Sequence, residues 1–175
     1  MSVEVPFYFA AAIAIIASLR VVTGSNAIHA LLYLVVSLLA VAVCFYFIGA
    51  PFAAGLEVIV YAGAILVLFV FAVMMFDLQG EDEAKHFGRA GNEGWFSAWF
   101  GPSVLALLLL VELIYIIVVS DSEQLLASNV IEAKQVGILL YGPYLLAVEI
   151  ASFLLLAGLV AGYHFAKPDV QGGRP

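Results

Sequence analysis

Positive charge is scarce in this sequence. Six Lys and Arg stand against thirteen Asp and Glu among 175 residues, for a net charge of −7. A nucleic-acid surface needs clustered positive charge, so that class of partner is excluded. There is one cysteine, Cys44, which leaves no intrachain disulfide and no cysteine-based metal cage. A lone thiol inside an apolar run reads as a small packing residue. H-E-x-x-H, a P-loop and a G-x-G-x-x-G following a strand are all missing. The connections are too short to assemble a Ser-His-Asp constellation or a soluble cofactor domain. No catalytic, cofactor-binding or metal site is therefore expected in this chain alone. Charge of either sign amounts to 11% of the residues, while 65% are apolar. Soluble domains are about 25% charged and about 45–50% apolar, so this composition belongs to a membrane protein.

What is abundant is long apolar runs. A hydrocarbon core of about 30 Å needs roughly 20 apolar residues in a helix. Five runs meet that length, at 5–22, 28–48, 54–76, 100–119 and 142–165. They are apolar around most of their circumference, as a bilayer span must be. The expected fold is all-α, a single five-helix transmembrane domain over 1–166 followed by a flexible tail at 167–175. The first run, "MSVEVPFYFAAAIAIIASLRVV", lacks a basic n-region and an A-x-A-like cleavage site, so it is expected to be an uncleaved span.

The connections set the packing. "TGSNA" at 23–27 and "GAPFA" at 49–53 are tight turns, which makes the first three spans antiparallel neighbours. A longer polar loop at 77–99 closes on Trp95 and Trp99, in the position of an aromatic belt. A second polar connection covers 120–135. "FGPSVLA" at 100–106 and "YGPYLLA" at 141–147 share a pattern; proline in a first helical turn wastes no hydrogen bond, so Pro102 and Pro143 are expected to mark helix starts. Arg20, Lys85, Arg89, Lys167 and Arg174 fall on one side of the membrane and Lys134 on the other. The positive-inside rule then puts the N-terminus in the periplasm and the C-terminus in the cytoplasm.

Ionisable groups within spans cost at least about 2.5–3.5 kcal/mol at a helix centre and ask for a reason. Glu57 lies near the outer end of the third span, where a structural reading is snorkelling to the interface. Glu112, in "LLLLVELIYIIVV", reads structurally as a protonated carboxyl bonded to a neighbouring helix. Glu149 lies about 9 Å beyond Pro143 along a helix. Ser152, Ala151, Ala157 and Gly158 around it form a close-packing segment, which favours a position facing protein or water. His29 and His164 sit at span ends on the predicted cytoplasmic side, where histidines are usually incidental, though either could titrate near neutral pH.

The third span, "EVIVYAGAILVLFVFAVMMF" at 57–76, carries Glu57, Tyr61 and Gly63 where leucine would suffice. On a regular helix Glu57, Tyr61, Ala64 and Leu68 share one face. Ala62, Gly63 and Ala64 leave the backbone nearly bare, permitting close helix contact. Glycine also eases departure from α geometry.

Three stretches together carry a resemblance: "NAIHALLYLVVSLLAVA" at 26–42, "GLEVIVYAGAILVLFVFAVMM" at 55–75 and "GPYLLAVEIASFLLLAGLVAGYH" at 142–164. The chain resembles the subunit J family of bacterial NADH:quinone oxidoreductase, respiratory complex I, whose mitochondrial counterpart is subunit 6. The "VIVYAGAI" core at 58–65 is the most specific part. The resemblance implies a small, cofactor-free subunit of the proton-pumping membrane arm, in the bacterial inner membrane. It implies a place beside subunits A, H and K, with NADH, FMN, iron–sulfur clusters and quinone bound in other subunits. It also implies a π-bulge around Tyr61, Ala62 and Gly63, whose rotation opens and closes a water path, and so a coupling role for those three residues. The in-span carboxylates Glu57 and Glu149 are the further candidates for a proton path, as a polar rim and a proton relay. The rival readings are a subunit of a related cation/proton antiporter or membrane-bound hydrogenase, a free-standing ion channel, and a purely structural scaffold. The channel is disfavoured because its few charged groups are spread over three helices.

Overall fold

The computed structural model describes residues 4–24, 26–77, 94–119 and 130–166. Among them every regular element is helical. They are α1 (Glu4–Thr23), α2 (Ala27–Phe47), α3 (Pro51–Leu56), a π-helix (Glu57–Ile65), α4 (Leu66–Asp77), α5 (Gly94–Val119), α6 (Ala133–Leu140) and α7 (Leu145–Ala166). Five stretches are long and apolar enough to cross a membrane: Glu4–Thr23, Ala27–Phe47, Pro51–Met75, Trp99–Val118 and Leu145–Phe165. The all-α architecture with five spans is thus the one expected. Most of the polar loop at 77–99, the first part of the connection at 120–135 and the tail at 167–175 lie outside the described residues.

Three local expectations need correction. α5 opens at Gly94 rather than 100, which leaves Pro102 inside the helix instead of in its first turn. Pro102 is also buried, and prolines inside spans are tolerated where neighbouring helices pack around them. Pro143 lies in a turn over 141–144, just before α7 rather than in its first turn. The connection expected to run to 135 instead ends in α6, whose first residue is Ala133.

The chain divides into two compact units, 1–131 and 132–175. In the first, α2 is the hub, packing on α1, on the third span and on α5. Small residues make this possible. α1 buries Ala10, Ile13, Ala14 and Ala17 in a stripe at spacings of three and four, so its backbone can approach α2 closely. Val36, Ala40, Val43 and Phe47 of α2 answer it, and Leu109 of α5 completes the core. The buried Ser37 hydroxyl lies 2.7 Å from the Ser18 hydroxyl and donates to the Ala14 carbonyl at 3.3 Å. These bonds fix the register of α1 on α2 by satisfying a polar group that the interior would otherwise penalise.

Both ends of α2 are determined locally. The Asn26 side chain accepts from the backbone N–H groups of Ile28 (3.0 Å) and His29 (3.4 Å), capping the first turn. At the other end Gly49 adopts φ 85°, a conformation that side-chain-bearing residues rarely take. The chain then reverses, and Pro51 begins α3. At the α2 N-terminus the His29 ring meets Trp99 of α5 edge-on, with centroids 6.4 Å apart.

The second unit holds α6, the turn and α7. Within it the α7 span buries none of its own residues. Its leucines and phenylalanines therefore form a surface for lipid or for another chain.

Candidate coupling segment in the third span

The third span changes helical geometry partway along. Glu57 to Ile65, nine residues, form a π-helix between α3 and α4. Its bonds reach five residues back: the N–H of Leu66 donates to the Tyr61 carbonyl. π segments are mostly single-turn bulges inside α-helices, frequently at functional sites, and this one is longer.

Gly63 occupies a place where a side chain is unwelcome. A Cβ there would stand 3.2 Å from the Val58 carbonyl oxygen, five residues earlier, in the partner position that i→i+5 bonding defines. Glycine therefore serves local backbone geometry, and the close helix contact expected of it is not seen, since no atom of another helix comes within 4 Å of that Cβ. The segment also rotates the expected face. Spacings of three and four define a stripe on an α-helix, but each π residue turns the chain less about its axis. Ala64 and Leu68 consequently fall out of line with Glu57 and Tyr61.

No residue of the π segment is buried. Glu57 and Ala62 are half-buried, Gly63 is exposed, and Tyr61 is 54% exposed. The segment leans on α2 and turns Ile59 and Tyr61 outward. At its entrance an apolar groove of about 560 Å³ opens between α2, the third span and α5, lined by Ala42, Tyr46, Gly55, Val58 and Leu113 among others. An element with one side packed and the other free can change its helical repeat without dismantling the core.

Four of the five singled-out residues, Glu57, Tyr61, Ala62 and Gly63, thus share one segment. Glu149 stands apart in the second unit, exposed on α7. Ser152, three residues on, donates its hydroxyl to the Glu149 backbone carbonyl at 2.7 Å rather than to the carboxylate. Among the described residues no cluster of three or more His, Cys, Asp or Glu could hold a metal ion.

Glu112 meets its sequence reading in part. It is 6% exposed and stands against the Ala10 backbone of α1, the neighbouring helix that its structural reading calls for, but neither carboxyl oxygen reaches a partner in hydrogen-bonding geometry. The sequence signal was the register of α5. Pro102, Leu105, Leu109, Glu112 and Ile116 recur at spacings of three and four, and the other four are buried or packed against the core. Glu112 therefore lies on the inward stripe.

Comparison with known proteins gives consistent relatives. Residues 17–165 match the family model described as NADH-ubiquinone/plastoquinone oxidoreductase chain 6. The chain is similar to NADH-quinone oxidoreductase subunit J of Pseudomonas aeruginosa, at 53% identity over 96% of this chain and 99% of that protein. It is 47% identical to subunit J of Escherichia coli strain K12, covering 97% of this chain and 89% of the relative. Subunit J of Buchnera aphidicola subsp. Schizaphis graminum is 43% identical over 94% of this chain and 98% of its own.

Proposed function

The chain belongs to the NADH-ubiquinone/plastoquinone oxidoreductase chain 6 family, and from that membership we propose that its third span couples quinone reduction to proton translocation. The chain is a multi-pass membrane-arm subunit of a bacterial NADH-quinone oxidoreductase, a proton-translocating complex, and its partners are other subunits of that complex. In this reading the complex sits in the inner membrane, and the single five-helix domain packs beside subunits A, H and K. NADH, FMN, iron–sulfur clusters and quinone are held in other subunits.

The π-helix over Glu57–Ile65 carries the proposal. A segment held by i→i+5 bonds can return to i→i+4 bonding by shifting one residue past the junction with α4. That shift rotates Glu57 and Tyr61 relative to Leu66. Rotation swaps polar side chains for apolar ones along a neighbouring surface, so an interior path is wet in one arrangement and dry in the other. Tyr61 supplies the hydrogen-bonding swivel, Glu57 the polar rim, and Ala62 and Gly63 the clearance. Glu149 is assigned to the same proton path. Bistable helical elements of this kind are how small shifts at one site become discrete states at another.

The test is to trap the span. In a Cys44→Ser background, a cysteine pair would join the π segment to a neighbouring helix in the assembled complex. The expected result is loss of proton pumping and of quinone-coupled NADH oxidation, with NADH oxidation by soluble acceptors retained and pumping restored on reduction of the crosslink. Normal pumping with the crosslink closed would sink the swivel and leave a scaffold.

A further inference from the structure

We propose that Glu112 is an internal proton-binding site of this chain, a carboxyl that exchanges its proton through bound water inside the seam between α1, α2 and α5. The geometry leads there in three steps. Glu112 is 6% exposed on the inward stripe of α5, and α5 packs on both α1 and α2. Its carboxyl lies by the backbone of Ala10 on α1 and within electrostatic reach of the Cys44 thiol on α2. Both carboxyl oxygens are buried without a hydrogen-bonding partner.

A carboxyl left bare in a protein interior is costly, and such groups are satisfied by a proton, a partner or an ordered water. The Ala10 backbone is near but neither oxygen meets it in hydrogen-bonding geometry. Cys44 is the titratable group that α2 brings to it. α1 presents Ala10, Ile13, Ala14 and Ala17 to the core, while its ionisable side chains Glu4, Tyr8 and Arg20 are exposed. Arg20 stands about 15 Å along the helix from Ala10, too far to pair with the carboxyl. What remains is a proton and water.

The same surroundings supply a place for water to enter. Val43 and Ile116, which touch the core, also line the groove between α2, the third span and α5. Ile116 is one turn from Glu112 on the same face, so the groove ends within a turn of the carboxyl. Tyr46 lines it too. The chemistry is a simple transfer: the carboxyl O–H gives its proton to an adjacent water and regains one from it.

This inference uses the chain's place in the complex but not the mobility of the third span. Isotope-exchange infrared difference spectra of the intact, membrane-embedded complex in H2O and D2O test it. The expected result is a carboxylic-acid C=O band that shifts on deuteration, is lost in Glu112→Gln and is kept at a displaced frequency in Glu112→Asp. Superimposable spectra from the wild type and Glu112→Gln would overturn the proposal, whatever a trapped third span does to pumping. Should Glu112→Gln fail to assemble, Glu112→Asp decides alone, and a band left undisplaced by it would overturn the proposal equally.

Discussion

The Val58 carbonyl oxygen stands 3.2 Å from the point where a Cβ on Gly63 would be built. That distance is tighter than ordinary van der Waals contact, so any side chain at 63 pushes on the bond pattern of the π segment. Gly63→Ala should be tolerated with a modest loss of quinone-coupled turnover. Gly63→Leu should lower it several-fold more than NADH oxidation by soluble acceptors. Gly55→Ala is the control, because a Cβ at Gly55 meets nothing within 4 Å. Both activities are to be measured in complexes shown by native gel to be fully assembled. Equal losses in the two assays would assign Gly63 to folding rather than coupling.

A second glycine makes a contact of a different kind. A Cβ on Gly101 of α5 would run into the Tyr33 phenol of α2, beside the buried Pro102. Gly101→Ala should therefore destabilise the packing of α5 on α2 by about 1–3 kcal/mol, the usual range for overpacking. Removing the offending oxygen with Tyr33→Phe should recover part of the loss, since contacting residues couple. The readout is the fraction of complex surviving a heat step, and additive losses in the double variant would contradict the contact.

Topology gives a third prediction. The Ile131 N–H donates to the Gly49 carbonyl at 2.8 Å, which ties the connection after α5 to the turn between α2 and α3. His29 meets Trp99 at the opposite ends of α2 and α5. With the positive-inside assignment, a reporter fused after Pro175 or within 77–99 should be cytoplasmic. One placed within 120–130 should be periplasmic. A periplasmic signal from the 77–99 loop would reverse the orientation.

Much of this was legible in the sequence because lipid constrains it so strongly. Five apolar runs of sufficient length can hardly be anything but spans, and "TGSNA" and "GAPFA" are too short to allow anything but antiparallel neighbours. The family resemblance also implied a departure from α geometry around Tyr61, Ala62 and Gly63. Its extent did not follow, because π bonding depends on backbone choices that side-chain spacing does not encode, and the α-helical face assigned to Glu57, Tyr61, Ala64 and Leu68 assumed the wrong repeat. Pro102 misled because proline usually opens a helix, whereas a span packed against neighbours can carry one inside. α6 was missed because the polar connection was read as running to 135, which splits Ala133–Leu140 between that connection and the residues before the fifth span. Glu112 could have been placed on the inward stripe by counting back to Pro102. Its lack of a bonding partner could not, since that depends on which side chains α1 and α2 present.

Glu149 offers the sharpest test of the proposed proton path. It sits on α7, which buries none of its own residues within its unit, and its carboxylate does not receive the Ser152 hydroxyl, which is spent on the backbone carbonyl. Whatever meets this carboxylate must therefore come from outside α7. Hydrocarbon would penalise it by at least about 2.5–3.5 kcal/mol near a helix centre, so it is expected to face another polar group or a hydrated path. Glu149→Gln keeps the shape and most hydrogen bonds while removing the titrating proton, so assembly should survive. Proton pumping, read by a pH-sensitive dye in vesicles, should fall several-fold relative to NADH oxidation by soluble acceptors. Glu149→Leu removes the polar contact as well and should reduce assembly, which separates a contact role from a proton role. Full pumping by Glu149→Gln together with poor assembly of Glu149→Leu would make Glu149 a packing contact, and the proton path would have to run without it.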